Sequence, residues 1–350
     1  MPTGHSNEEP QRSAFSRLAA AIPGGGFAFV MATGIVAIAA ASQSLRPIGA
    51  GLFAINVVAF AGLVLMMLLR LIRDRPALIA ELSQHRTAAG FLTIVAAAAV
   101  LGEEFVAQAK ELSIGAGLWL GACGLWVGLV YAFFAVLATR PRKPSLADGL
   151  DGTWLLVAVA TEALTVLGTD VARGFARPDI VVYLSLCWFL LGGFFYLIVI
   201  ALILYRWLFE PLPPEALTPP YWINMGAMAI ATLAGARLES IAGTNPLLTR
   251  LLPGVALATM LCWAVATWWI PLLLLMMIWR HAVRGVPLSY RFEYWSMVFP
   301  LGMYTAATAA FVRVNGLDFL LWLPRGFIWV ALGAWAASFA GMVRGAIGRR

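Results

Sequence analysis

Apolar stretches alternate along the chain between a short kind with scattered polar residues and a long kind that is almost purely apolar. The short stretches are Gly25–Gln43, Thr87–Gly102, Gly152–Gly168, Tyr221–Ala236 and Trp295–Val312. The long stretches are Gly49–Leu69, Ile114–Leu137, Ile180–Tyr205, Leu251–Trp279 and Leu320–Val343. Ser, Thr, Asn, Gln and charged residues occupy 14 of 86 positions in the short set but only 6 of 124 in the long set. A helix that faces lipid carries few polar groups, whereas one that lines a wet path can carry more. The alternation predicts an inner shell of short helices within an outer shell of long ones, as in a pore.

Composition fixes the broad class of protein. The chain is 61% hydrophobic and 12% charged, with a mean hydropathy of +0.85, which is typical of a polytopic membrane protein. We predict an all-α integral membrane fold of ten transmembrane helices at residues 25–344, between cytoplasmic tails at 1–24 and 345–350. The short stretches begin at intervals of 62 to 74 residues, which indicates five helical hairpins in an internal repeat.

The basic residues predict the orientation. Lys and Arg number 16 on the side of the two termini and 8 on the opposite side. An excess of Lys and Arg marks the cytoplasmic face, so we expect a multi-pass protein of the inner (plasma) membrane with both termini in the cytoplasm. The five short helices then run parallel, with their N-termini towards the cytoplasm. Helix N-termini carry partial positive charge and favour anions there. Much of the net charge of +7 is this orientation signal, and no nucleic-acid partner is expected.

Catalytic patterns are missing from the sequence. The three histidines lie in tails or loops, and the three cysteines, Cys123, Cys187 and Cys262, are far apart within long stretches. There is no metal-binding spacing, nucleophile elbow or phosphate-binding glycine loop. We therefore expect no enzyme activity, no cofactor and no metal, which leaves transport as the predicted function. An intramembrane enzyme or scaffold is the alternative of a different class.

The ninth stretch contains the most informative short motif, in which Phe299 precedes Pro300 and Gly302 follows. Proline interrupts the helical hydrogen bonds and glycine allows close approach or bending. A phenylalanine on such a kink is well placed to project into a central path and to block it. An ordinary packed phenylalanine explains the same residues equally well.

Other short stretches offer polar groups to a pore. The candidates are Thr33 and Gly34 in the first stretch, Asn224 and Thr232 in the seventh, and Thr305 in the ninth. Asn224 and Thr232 are eight residues apart and so lie roughly on one helix face. Hydrogen bonding between helices is the alternative role for all of them.

Glu162 is the one carboxylate well inside any stretch. An ionised carboxylate is costly in the membrane, so Glu162 should face the water path, find a partner or be protonated. A protonatable group would suit proton-linked transport, and a structural role is the alternative. Glu103 and Glu104 fall at the outer end of the third stretch, where we expect them to be solvated.

Three strings carry a family resemblance: FVMATGIVAIA at residues 29–39, PPYWINMGAMAI at 219–230 and FPLGMYTAAT at 299–308. They resemble the tellurite-resistance/dicarboxylate transporter family, which includes malic-acid transporters, sulfite efflux pumps and slow-type anion channels. The resemblance covers residues 23 to about 343. It implies five hairpins in quasi-fivefold order, odd-numbered helices lining a pore, and a homotrimer.

The resemblance also implies a pore-plugging phenylalanine on the ninth helix, and Phe299 matches it better than Phe311. Two features depart from the family. Mid-span prolines are scarce in the first, third, fifth and seventh stretches, and Glu162 adds an acid to a pore usually described as nearly uncharged. The function we expect is transport of small anions, with C4-dicarboxylates such as malate leading and membrane lipid as the surroundings. A proton-coupled carrier that uses Glu162 is the alternative mechanism.

Overall fold

The computed structural model describes residues 24–347, so residues 1–23 and 348–350 of the two predicted tails lie outside the described residues, whereas 345–347 belong to the last helix. The described part is built from helices. The ten long ones are α1 (Ala28–Ser42), α2 (Arg46–Arg73), α3 (Thr93–Glu104), α4 (Leu112–Thr139), α5 (Leu156–Val171), α6 (Pro178–Phe209), α7 (Ile223–Ser240), α8 (Pro246–Ile278), α9 (Trp295–Asn315) and α10 (Trp322–Ile347).

Burial confirms the two predicted shells. In α1, α3, α5 and α9, 78–94% of the central residues are buried, against 11–39% in the even-numbered helices. These nine helices, with their flanking turns, are long and apolar enough to cross a membrane. The tenth, α7, falls short of that criterion and is buried along almost its whole length. The helices that carry polar residues are therefore enclosed by those that lack them.

The five inner helices form a closed ring. In the order α1, α3, α5, α7, α9, each packs against the next, and α9 returns to pack against α1. Each outer helix packs on the inner helix of its own hairpin, and it also contacts the inner helix of the following hairpin. Every inner helix is followed by an outer helix that runs back, so the five inner helices are parallel. The result is the expected quasi-fivefold arrangement of hairpins.

The helix starts repeat this symmetry. Every inner helix is preceded by a short 3₁₀ turn, at Gly24–Phe27, Ala88–Leu92, Gly152–Leu155, Pro219–Trp222 and Phe292–Tyr294. Three outer helices, α2, α6 and α8, carry a proline at their first or second position, where its fixed φ suits the helix and its missing N–H costs nothing. Each of the five 3₁₀ turns runs directly into its inner helix without a break.

Candidate functional site

Helix α9 packs very closely against both of its neighbours in the ring, α7 and α1. A Cβ on Gly226 of α7 would lie 2.7 Å from Cγ of Pro300. On the other side, a Cβ on Gly302 would lie 2.9 Å from Cγ2 of Val36 and 3.0 Å from Cγ2 of Ile35, both on α1. A side chain at either glycine would therefore force a neighbouring group to move. The two glycines therefore let α9 approach α7 and α1 more closely than other residues would.

Phe299 lies on the side of α9 that faces away from the outer shell. Nine positions later, the hydroxyl of Thr308 accepts a hydrogen bond of 3.2 Å from Nε1 of Trp263 on the outer helix α8. At about 100° per residue, nine positions amount to half a turn of the helix face. Phe299 thus lies opposite the contact with α8, and its side chain is completely buried.

The hydroxyl candidates are already engaged within the protein. Thr33 accepts a hydrogen bond of 3.0 Å from Nε1 of Trp335 on the outer helix α10. Thr232 and Thr305 each donate to the carbonyl four residues earlier in their own helix, at 2.8 and 3.0 Å. All three are fully buried. These contacts match the packing alternative, in which the hydroxyls satisfy hydrogen bonds between and within helices.

Glu162 and Asn224 are buried without hydrogen-bond partners among the described residues. The carboxyl of Glu162 lies against Gly192 of the outer helix α6, where a Cβ would be 2.7 Å from Cδ of the glutamate. The side-chain amide of Asn224 has neither donor nor acceptor engaged, although its main-chain oxygen accepts from the Tyr196 hydroxyl of α6 at 3.3 Å. A buried polar group without a partner is costly, so both positions are marked as functional candidates.

Glu103 and Glu104 are not solvated, so that prediction is wrong. Glu104 is fully buried, and its Oε2 accepts a hydrogen bond of 2.5 Å from Nδ2 of Asn56 on α2. Gly34 faces this pair, and a Cβ there would lie 2.6 Å from Nδ2 of Asn56. Asn56 on the outer helix α2 and Arg237 on α7 contact these two carboxylates in place of water.

Glu103 instead belongs to a cluster of charges at the C-terminal ends of the inner helices, which we call the C-terminal mouth. Nη2 of Arg237 on α7 lies 2.9 Å from Oε1 of Glu103 on α3, and Nε of Arg237 lies 3.7 Å from Oδ1 of Asp170 on α5. The cluster could not be recognised from the sequence, because each of its charges lies within two positions after an apolar stretch and looks like part of a loop. Opposite charges at the matching ends of parallel helices were the available signal.

A cavity of about 710 Å³ opens at the same mouth. The ends of α3, α5 and α7 and the starts of α6 and α8 enclose it, and Arg237 and Asp170 line it together with Lys110, Arg173 and Asp179. The C-terminal mouth therefore presents charges of both signs to an accessible space.

The opposite end of the ring is organised by buried arginines from the outer helices. Arg206 at the end of α6 donates to the carbonyl oxygen of Leu150 at 2.5 Å and also contacts the Tyr221 hydroxyl. Arg280 donates to the carbonyl oxygen of Leu217 at 2.7 Å. Burial raises the pKa of Asp151, which precedes α5, while hydrogen bonds from Thr153 act in the opposite direction. These contacts hold the linkers that lead into α5 and α7.

Ten helices in five hairpins around a closed ring define an integral membrane protein of the transporter and channel class. The sequence matches the voltage-dependent anion channel family, SLAC1, over residues 22–343, and the chain belongs to that family. An uncharacterized transporter of Methanocaldococcus jannaschii is 24% identical over 320 residues, which are 89% of this chain and 91% of the relative. An uncharacterized membrane protein of Mycobacterium tuberculosis is 40% identical over 150 residues, 43% of this chain and 76% of the relative. The family supports anion transport.

Proposed function

We propose that the protein conducts small anions through the interior of its helix ring and that Phe299 is the gate. C4-dicarboxylates such as malate are the substrates we put first. The observation that carries the gate assignment is the position of Phe299, fully buried on the side of α9 opposite the outer helix α8. In a ring of parallel helices, that side is directed at the axis.

The contacts around Phe299 support a hinge at the gate. Pro300 removes a helical hydrogen bond, and Gly226 and Gly302 bring α9 close to its neighbours on both sides. A small shift of α9 against either neighbour would therefore move the phenylalanine ring. An aromatic constriction of this kind blocks ions both by its volume and by excluding water.

Helix dipoles supply the attraction for anions in this proposal. The five inner helices are parallel, so their positive N-terminal ends converge on one side of the ring. Thr232 and Thr305 are the hydroxyl candidates for the narrow part of the ring. Thr33 and Gly34 instead face α10 and the pair of Asn56 and Glu104, respectively, and act through packing. Asn224 has a side-chain amide without a partner among the described residues, which makes it the candidate best able to contact an anion directly.

We further propose a homotrimer in the inner membrane, with one path in each subunit and both termini in the cytoplasm. The excess of Lys and Arg on the side of the N-terminal ends of the inner helices supports this orientation. The surface of α4 supports association, because nothing lies within 4 Å of a Cβ on Gly117, Gly121, Gly124 or Gly128. Glycines at this spacing let another helix approach closely.

An anion flux assay on liposomes that contain the purified protein tests the gate. Phe299→Ala should raise the flux of malate, chloride or nitrate severalfold or more, because it removes the blocking ring. Phe311→Ala is the matched control, since Phe311 is a buried phenylalanine on the same helix that stacks on Trp263 of the outer shell, with ring centroids 5.4 Å apart. A Phe299→Ala protein that conducts no better than the parent, or no better than Phe311→Ala, contradicts the gate assignment.

The carboxyl of Glu162 favours a second candidate mechanism, proton-coupled transport. A buried carboxyl without a partner is accommodated in its neutral form and must move or gain a partner to lose its proton. If Glu162 couples proton and anion movement, Glu162→Gln abolishes the dependence of uptake on a pH gradient. If the protein is a passive channel, Glu162→Gln leaves anion conductance intact.

A further inference from the structure

The ion pair between Glu103 and Arg237 joins two helices that are not neighbours in the ring. Glu103 is on α3 and Arg237 is on α7, and α5 lies between them in the closed order of inner helices. The outer side of α5 is covered by α4 and α6, which pack against it. The side chain of Arg237 therefore reaches Glu103 along the inner side of α5.

Asp170 provides an independent check of this geometry. It lies nine positions after Thr161, whose hydroxyl accepts a hydrogen bond of 2.8 Å from Nε1 of Trp126 on the outer helix α4. Nine positions are half a turn, so Asp170 is on the side of α5 that faces the axis. Arg237 lies 3.7 Å from this carboxylate while it contacts Glu103. The three charges thus meet inside the ring, across the C-terminal mouth.

The two partners of this ion pair differ in their access to solvent. The side chain of Glu103 is 3% exposed, whereas that of Arg237 is 30% exposed and lines the cavity at the mouth. The buried carboxylate anchors the pair, and the guanidinium is the part that an ion entering the cavity meets first. Besides Asp170, the charged groups that line the cavity are Lys110, Arg173 and Asp179, and Asp179 is paired with Arg177.

The charges of the cluster itself disfavour an anion as long as the pair is intact. Each inner helix ends here with about half a negative charge from its peptide dipoles. Glu103 and Asp170 add two carboxylates, and Arg237 is the guanidinium between them. Lys110 and Arg173 line the cavity as well, so the excess of negative charge is local to the cluster. An anion that reaches the cluster meets two carboxylates and one guanidinium unless Arg237 turns from the carboxylates towards it.

We propose that Glu103, Asp170 and Arg237 form a second, electrostatic closure of the path, and that Arg237 is the anion-binding residue of the C-terminal mouth once Glu103 releases it. This inference rests on the proposed anion path through the ring. It assigns Arg237 two alternating partners, a carboxylate in the closed arrangement and the permeating anion in the open one. A guanidinium suits both, because its planar N–H groups match carboxylate oxygens.

The test measures anion flux in liposomes with variants made in the Phe299→Ala background, so that the middle of the ring is open. Glu103→Gln frees Arg237 and removes a negative charge, and should raise nitrate and malate flux about tenfold. Arg237→Gln leaves the carboxylates unopposed and should lower that flux about tenfold. Glu104→Gln is the matched control, since Glu104 is equally buried one residue away but bonds Asn56, and its flux should equal that of the background.

An electrostatic closure predicts that the two single variants change the anion flux in opposite directions. A pair that only stabilised the fold would change flux in the same direction whichever partner was removed, and that result would overturn the proposal. If one single variant fails to fold, the remaining single variant is compared with the double variant Glu103→Gln/Arg237→Gln, which removes both charges together. The double variant should show lower flux than Glu103→Gln or higher flux than Arg237→Gln. Flux equal to that of Phe299→Ala in all of these variants also contradicts the closure.

A binding measurement separates this inference from the proposed function. Thermal unfolding of the purified protein in detergent is followed with and without nitrate or malate. The stabilisation by these anions should grow in Glu103→Gln, vanish in Arg237→Gln and stay at the parent value in Glu104→Gln. If Phe299→Ala carries no anion flux, the proposed path fails, and this binding pattern still decides whether Arg237 binds anions. If Glu103→Gln and Arg237→Gln both behave like the parent, Arg237 is not an anion site.

Discussion

At the middle of the ring the residues that meet are apolar and fit closely. At the C-terminal mouth, two carboxylates and one guanidinium meet beside an open cavity. Phe299 is fully buried next to Pro300, which packs on Gly226. Arg237 is partly exposed and bridges carboxylates on two other helices. A dewetted aromatic constriction stops ions of either sign, while a charged cluster distinguishes between signs. The difference assigns blockage to the middle of the ring and discrimination between ions to its end.

The largest expected effect comes from removing both barriers. Barriers in series are limited by the higher one, so Glu103→Gln alone should change flux little while Phe299 still blocks the ring. In the Phe299→Ala protein the same change should raise flux about tenfold. Liposome flux of the parent, both single variants and the double variant tests this order. An equal gain from Glu103→Gln in both backgrounds contradicts two barriers in series.

The close fit at the middle predicts a loss of stability when a methyl group is added there. In Gly226→Ala, the new Cβ would lie 2.7 Å from Cγ of Pro300, so α9 must shift, at a cost of about 1–3 kcal/mol. Thermal unfolding in detergent should show a Tm several degrees lower. Gly62→Ala on α2 is the control, because nothing lies within 4 Å of a Cβ there and alanine favours helix. Equal Tm values for Gly226→Ala and Gly62→Ala would show that the contact with Pro300 is not tight.

Ionic strength should affect the two barriers differently. The Debye length falls from roughly 10 Å at 0.1 M salt to roughly 3 Å at 1 M. With an impermeant salt added, the flux ratio of Arg237→Gln to its background should move severalfold towards one, because Arg237 faces the cavity. The ratio of the flux of Phe299→Ala to that of the parent should not change with salt, since an apolar block carries no charge. A salt-dependent Phe299 ratio would show that charge contributes to the block at the middle.

The smallest expected effect lies in the linker before α3, which contains His85. Burial, aided by Arg140 and Lys143, lowers the pKa of His85, so the unfolded chain binds more protons than the folded one between the lowered pKa and about 6.5. Stability therefore rises with pH through that window and is lost on acidification below it. We expect the Tm of the parent to rise about 1 °C more than that of His85→Gln between pH 5 and 7. If Tm depends on pH in the same way in the parent and in His85→Gln, the protonation of His85 does not contribute to the pH dependence of stability.

The shells and hairpins were predictable because lipid imposes a compositional rule on every outer position. The quasi-fivefold order of the hairpins was implied by the family resemblance, to which the repeat of five similar hairpins lent support. The direction in which each side chain points could not be predicted in this way. Thr33 and Glu162 sit on inner helices as predicted, yet they contact α10 and α6, because an inner helix has an outward side as well as an inward one. The sequence does not fix the rotation of each helix about its own axis, so it does not show which residues of an inner helix face outward and which face inward.

The charge cluster was unpredictable for a different reason. Glu103 and Arg237 are 134 positions apart, and each follows directly on an apolar stretch, where charged residues are normally solvated. Only the closed ring brings these ends together and covers them. Residues at the ends of segments therefore depend on the whole assembly, whereas residues in the middle of a segment depend mainly on their own helix.

Ring closure also determines when contacts between the first and last helices can form during synthesis. The hydroxyl of Thr33 is bonded by Trp335, a residue 302 positions later in the chain. At about 5–20 residues per second, the ribosome supplies that partner roughly 15–60 s after Thr33 itself. During that interval α1 has no α9 or α10 to pack against, and its future contact surface must be covered by lipid or by the insertion machinery. The first hairpin to enter the membrane is thus among the last to be completed.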